Sequence, residues 1–274
     1  MLGQRLDAAL IQLVDLAHAW IPRATPTRSA LAEARIVSHR GERQQDRDEN
    51  TFAAFDPLVG SGVWGLECDL RWTRDLVPMV YHDVNFQRLH GDPTPLAALS
   101  AAEVQQRHPQ IPRLSEFVAR YGKHFHLMIE LKAEPYPAAD AQTRELLRIL
   151  NLGATQGFHL ICLKPDFLDS LPGLPVTHTV NVARFNSRQL STDALSKGRA
   201  GLAGHYQLLT NAQVRAHRAA GQHIGSGYPA SSSVLRRELN RGVEWIFSNQ
   251  ALAMQRELDR LRIRAGLSVP NSNA

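Results

Sequence analysis

Cysteine is nearly absent from this chain: two in 274 residues, Cys68 and Cys162. Both lie inside apolar stretches, "GLECDL" and "FHLICLK". That setting favours buried free thiols over a disulfide. Long apolar runs are missing too. No stretch reaches the roughly 18 consecutive apolar residues that a membrane-spanning helix needs. No five like charges stand in a row, and 31 basic side chains against 26 acidic ones leave only +5. So mild and dispersed an excess argues against a nucleic-acid surface and is compatible with an anionic small-molecule substrate. The first twenty residues lack the uncharged core of a signal peptide, since Asp7 and Asp15 interrupt it, and the expectation is a cytoplasmic protein. What the chain does have is histidine, 12 of them, the side chain of acid–base chemistry and metal ligation.

Residues 2–20 place Leu2, Leu6, Leu10, Leu13, Val14, Ala17 and Trp20 at helical spacing. They predict an amphipathic helix ending before Pro22, packed on the domain; docking on a membrane surface is the alternative. With a polar linker it forms an N-terminal unit, 1–34. From residue 35 to 274 the chain alternates short apolar runs with longer helical patterns. The candidate strands are 35–39, 65–70, 77–82, 126–132, 158–164, 175–181, 200–206, 222–227 and 243–249. This rhythm predicts an α/β protein, a TIM-type (β/α)8 barrel ahead of an open sheet. Nine runs are one too many. The gap from 71 to 76 is shorter than the about 10–12 residues of a parallel crossover, so either 65–70 and 77–82 form a hairpin-like pair or one run lies outside the barrel. Residues 84–112, with Gly91, Pro93, Pro95, Pro109 and Pro112, read as a small insertion.

Side chains alternate across a strand. Glu67 and Asp69 therefore share one face of "GLECDL", with Leu66, Cys68 and Leu70 on the other. The same parity puts Glu130 and Lys132 together in "MIELK". Three carboxylates at the carboxyl ends of two strands suit a hard divalent cation, Mg²⁺ or Ca²⁺, and no Cys/His spacing points to zinc. The competing reading is a salt-bridge layer with Lys132 and Arg40. His39 ends the first strand and His82 follows the third; two histidines at strand ends are what an acid–base pair needs. Arg40 suits a forked anion such as phosphate.

With "HRG" (39–41), "ENTFAAF" (49–55), "GLECDLRWTRDLVPMVYHD" (65–83), "IPRLSEF" (111–117) and "IELK" (129–132) in this order, the chain resembles the glycerophosphodiester phosphodiesterase family. The resemblance implies a distorted TIM-type barrel and hydrolysis of glycerophosphodiesters to glycerol 3-phosphate and an alcohol. It implies a divalent ion on Glu67, Asp69 and Glu130, an acid–base pair in His39 and His82, and Arg40 and Lys132 on the phosphate. In the family's scheme the substrate's own 2-hydroxyl attacks, aided by one histidine, while the other protonates the leaving alcohol; water then opens the cyclic phosphate. Glu49 and Asn50 are expected to cap a helix near Thr51 and to orient His39 or Arg40, and Asp83 to orient its neighbours. A lyase that stops at the cyclic phosphate, a lysophospholipase D-like enzyme for a bulkier substrate and a non-catalytic phosphodiester-binding barrel are the alternatives.

The carboxyl-terminal half departs from the family. "IGSGYPAS" stands where a Trp-Thr-Val-Asn-like strand is common, and "SNQ" where a Thr-Asp pair is. Lys164, His178, Asn181, His205, Ser226, Tyr228 and Asn249 are therefore candidates for a rewritten pocket wall. The small residues 225–227 predict a roomier one.

Overall fold

Strands of this chain carry branched apolar residues at alternate positions, and eight of them pair side by side until the last meets the first. In a computed structural model, which describes residues 18–42, 48–151 and 156–269, the parallel strands are β1 (Arg35–His39), β2 (Gly65–Trp72), β4 (His126–Leu131), β5 (Phe158–Cys162), β6 (Thr179–Ala183), β7 (Gly201–His205), β8 (His223–Gly227) and β9 (Trp245–Ser248). β9 pairs with β1 and β1 with β2. This is a closed (β/α)8 barrel of the TIM type. The expected helix over 2–20 falls almost wholly outside the described residues. Among the described residues no helix is long and apolar enough to cross a membrane.

The ninth run resolves simply. β3 (Pro78–Val80) pairs antiparallel with β2, Leu70 opposite Val80 and Trp72 opposite Pro78. One edge of β2 is taken by β4 through Leu70, and the other by β1 only through Glu67. β3 fills the edge left above β1, outside the barrel. Its chain then runs back down, with the Tyr81 amide donating to the Asp69 carbonyl at 3.0 Å, which delivers His82 to the barrel rim.

Two apolar layers follow from strand alternation. Outward residues such as Leu66, Cys68, Leu70, Ile129 and Leu160 pack with the helices, and Cys68 and Cys162 are free, buried thiols there. Inward residues Val37, Met128, Ile161, Val180, Ala203, Trp245 and Phe247 plug the barrel. A third cluster, around Met79, Tyr81, Phe86, Leu96 and Val104, belongs to the segment after β3. Its core is the reason this segment, rich in proline, has a defined shape and can hold residues against the rim.

Some expected boundaries move. The sixth strand begins at Thr179 rather than Pro175, because the His178 amide closes a tight turn onto the Pro175 carbonyl at 2.9 Å. The helix expected near Thr51 is only Phe52–Phe55 before Pro57 tightens it into a 3₁₀ turn. Its cap is Thr51, whose hydroxyl accepts from the Ala54 amide; Glu49 and Asn50 are engaged elsewhere.

Candidate active site

The site sits on the apolar plug at the carboxyl ends of the strands, the end where barrel enzymes place their chemistry. Register assembles it. His39 on β1 stands beside Glu67 on β2, and Asp69 beside Glu130 on β4. One oxygen each of Glu67, Asp69 and Glu130 fall within 4.8 Å of one another, and all three side chains are buried.

The two cations expected there arrive on the same carboxylates. Arg40 Nε lies 2.9 Å from Asp69 Oδ2 and Nη1 lies 3.1 Å from Glu49 Oε1. Lys132 Nζ lies 2.5 Å from Asp69 Oδ1 and also contacts Glu130. The salt-bridge layer weighed from the sequence is therefore real, but it does not include Glu67. Neither Glu67 oxygen has a hydrogen-bond partner among the described residues; the nearest ionisable contact is His39 Nε2, 3.8 Å from Oε2. Arg40 itself is placed by the turn that ends β1. It takes φ of 62°, and Gly41 follows at φ of 90°, where a Cβ would meet the Ala54 Cβ at 2.6 Å. Glycine alone fits that corner.

Burial and charge then set the proton affinities. Burial raises the Glu67 carboxyl well above the ordinary range, and the Asp69 charge adds to this. Burial pushes Asp69 the same way, but Lys132 and Arg40 overcome it and hold its carboxyl well below that range. His82 is lowered, by burial first, with Lys132 and Arg40 contributing.

Both histidines are oriented from behind. His39 Nδ1 lies 2.7 Å from Asn249 Oδ1, and the Tyr228 hydroxyl lies 3.4 Å from Nε2, its ring 4.7 Å from the imidazole. His82 Nδ1 lies 2.6 Å from Asp83 Oδ1, and the His82 carbonyl accepts from Arg71 Nε at 2.7 Å. Asn50, at φ of 61°, donates to Asp69 Oδ2 at 2.8 Å and accepts from the Asp69 amide at 3.3 Å. Sequence reasoning gave Asn50 the wrong task and overlooked Arg71 and Arg88. Only closure of the barrel and the path of the segment after β3 bring such residues in.

Of the candidate wall residues, His205, Tyr228, Asn249 and the exposed Lys164 lie at the rim ends of strands or just beyond them. Three do not belong there. His178 precedes β6, at the opposite mouth, with its ring 5.0 Å from Phe158. Asn181 points outward and donates to the Leu190 carbonyl and Asp193. Ser226 shares the outward face of β8 with Ile224, against Glu238. The room expected at residues 225–227 is absent at Gly225, where a Cβ would meet the Phe247 ring at 2.7 Å, while at Gly227 a Cβ would meet nothing nearer than the Phe247 Cβ at 3.9 Å. Tyr228 supplies an aromatic ring at the rim.

The donor set fits a divalent cation. Its three ligand atoms are oxygens, one from each of three buried carboxylates, and no hydrogen-bond donor among the described residues satisfies Glu67. Asp69, Glu130, Glu49 and Asp83 face Arg40, Lys132 and Arg88 in one salt-bridged network, and Glu67 stands beside it without a cationic partner from Lys or Arg among the described residues.

Comparison with known proteins gives the family. Residues 39–250 match the model of the glycerophosphoryl diester phosphodiesterase family. Glycerophosphodiester phosphodiesterase 1 of Bos taurus is 29% identical over 119 residues, a stretch spanning 38% of this chain and 36% of that protein. The chain thus aligns with well under two thirds of this relative's length. Among solved structures, a phosphodiesterase of Oleispira antarctica in complex with the product sn-glycerol-3-phosphate superposes with a TM-score of 0.69 at 20% identity, covering 84% of this chain and 99% of that one. The glycerophosphodiester phosphodiesterase of Thermotoga maritima gives 0.68 at 18% identity, covering 81% and 97%. The fold is a closed (β/α)8 barrel with a buried acidic cluster at the carboxyl ends of its strands. The chain belongs to the glycerophosphoryl diester phosphodiesterase family.

Proposed function

We propose that this protein hydrolyses glycerophosphodiesters to glycerol 3-phosphate and an alcohol, with one divalent cation, Mg²⁺ or Ca²⁺, held by Glu67, Asp69 and Glu130. The observation that carries the reading is Glu67: a fully buried carboxylate, unsatisfied by any hydrogen-bond donor among the described residues, between two other carboxylates and a histidine. Leaving such a group unmet costs several kcal/mol, and a bound cation removes that cost.

When bound, the cation would supply neutralisation of phosphate charge. The rest falls to side chains. Arg40 and Lys132 keep positive charge at the carboxylate edge, where a phosphate oxygen approaches, and their fixed positions need no rearrangement as charge develops. His39 and His82 exchange the protons. One takes the proton of the substrate's 2-hydroxyl as its oxygen bonds to phosphorus. The other gives a proton to the alcohol oxygen as its bond to phosphorus breaks. Water then opens the cyclic phosphate with the proton roles reversed. The Asn249 and Asp83 contacts hold each ring with Nδ1 turned away from the centre, so Nε2 is the working atom of both.

A panel of glycerophosphodiesters and lysophospholipids, assayed with Mg²⁺ and with Ca²⁺, tests the reading. Turnover of glycerophosphocholine or a close analogue with either ion supports it. Preference for lysophospholipids places the substrate among bulkier diesters, and no turnover of any diester with either ion overturns it.

A further inference from the structure

Arg88 lies on the short helix Gln87–His90, in the segment that follows His82. It reaches back to the rim with two charge-assisted bonds. Nε donates to Asp83 Oδ2 at 2.6 Å, and Nη2 donates to Glu49 Oε1 at 2.6 Å. The first acceptor is the carboxylate whose other oxygen takes the His82 Nδ1 proton; the second is the buried carboxylate that takes Arg40. One guanidinium therefore closes a continuous path from His82 through Asp83, Arg88 and Glu49 to Arg40. It joins a group that moves protons to a group that meets phosphate.

The Arg88 side chain is half-exposed, whereas its acceptors Glu49 and Asp83 are mostly buried, so the two bonds satisfy buried charge as well as fix geometry. Asp83 can turn about its own side-chain bonds; with one oxygen on His82 and the other on Arg88, it cannot turn without breaking one of them. His82 is meanwhile held at its carbonyl by Arg71, so Asp83 is what sets the plane of its ring. Glu49 Oε1 is shared by two guanidiniums, which fixes the side from which Arg40 approaches Asp69.

We propose that Arg88 is a positioning residue for the reaction, acting on His82 through Asp83 and on Arg40 through Glu49 without touching the substrate. This rests on the proposed phosphodiesterase reading, and its test separates the two. Kinetics of Arg88→Ala, Arg88→Lys, Asp83→Asn and the double variant Arg88→Ala/Asp83→Asn should be compared with wild type on a glycerophosphodiester. The expected result is a fall in kcat of about 10- to 10²-fold for Arg88→Ala, the scale of a misplaced catalytic group. Arg88→Lys recovers part of the loss, since an ammonium can hold one of the two carboxylates. The double variant loses less than the product of the two single losses, because both changes release the same ring and only Arg88→Ala also frees Glu49. Wild-type kcat in Arg88→Ala overturns the proposal, as do losses that multiply in the double variant. Should wild type itself turn over no diester, the function reading fails alone. The positioning is then read from the nitrogen-bound proton signal of His82 in histidine-labelled, metal-free protein, assigned by its loss in His82→Ala. A slowly exchanging Nδ1 proton in wild type that broadens or vanishes in Arg88→Ala supports the proposal; an unchanged signal overturns it.

Discussion

His39 and Asn249 are 210 residues apart in sequence, and their side chains meet at 2.7 Å, Nδ1 to Oδ1. An amide oxygen only accepts, so Nδ1 carries the proton and Nε2 keeps its lone pair on the side of Glu67. The last strand thus selects the form in which the first strand's histidine can take a proton. Asn249→Leu removes that selection while keeping volume. Its kcat should fall by at least about tenfold, whereas Asn249→Asp, which still accepts from Nδ1, should retain more activity than the leucine variant. Equal rates for the two variants would contradict the orienting role.

His39→Ala and His82→Ala should each lose about 10²-fold or more in kcat, the usual share of general acid–base catalysis. Divalent-ion binding, followed by calorimetry, should be retained in both. A variant with near-wild-type turnover would make that histidine structural.

Glu67→Gln should uncouple stability from function. In chelated protein the amide removes an unsatisfied buried charge, so thermal stability should equal or exceed that of wild type. Adding Mg²⁺ or Ca²⁺ should stabilise wild type, by about 2.7 kcal/mol at a hundredfold excess over Kd, and leave the variant unmoved. Because Glu67 holds its proton to higher pH than an ordinary carboxyl, ion affinity should begin to fall at a higher pH than for an exposed carboxylate site. An equal ion-induced shift in both proteins would remove Glu67 from the ligand set.

The amino-terminal mouth of the barrel should be acid-sensitive. His126 Nε2 lies 2.7 Å from His159 Nδ1, and Trp64 stacks on His126. Burial, reinforced by nearby imidazoles, pushes their pKa values down to about 4 and about 3. The unfolded chain takes up these protons near pH 6.5 while the folded one refuses them. The contribution is therefore complete above pH 6.5 and drains away as pH falls toward 4, with a slope nearing about 1.4 kcal/mol per pH unit for each histidine. Glu67, raised in the folded state, works in the opposite direction, so the comparison needs a variant. Urea unfolding between pH 7 and 5 should show a shallower pH dependence for His159→Asn than for wild type; identical slopes would refute the assignment.

Much of the centre was legible because strand parity is local. Glu67 with Asp69, and Glu130 with Lys132, can be read two residues apart, and the short gap after Trp72 rules out a parallel crossover there while leaving open a hairpin or a run outside the barrel. Asn181 and Ser226 point outward because the neighbours of each, Val180 with Val182 and Gly225 with Gly227, share the plug-facing side, and nothing in the sequence marks which parity of these strands faces the plug. Asn249 and Tyr228 could be placed at the rim, yet their contact with His39 depends on β9 closing against β1. Asn50 could be placed near the site but not on Asp69, because its backbone turns into the left-handed region. Arg88 lies in a segment whose own small core, not any periodicity, aims it at Asp83.

Phosphorus NMR of glycerophosphocholine incubated with the chelated enzyme, before and after adding Mg²⁺ or Ca²⁺, tests the central claim most directly. The account predicts a glycerol 3-phosphate signal only after the ion is added, and none with Glu67→Gln at the same ion concentration. Product formation that ignores both chelation and the Glu67 substitution, or a wild-type spectrum that stays unchanged with either ion, would contradict it.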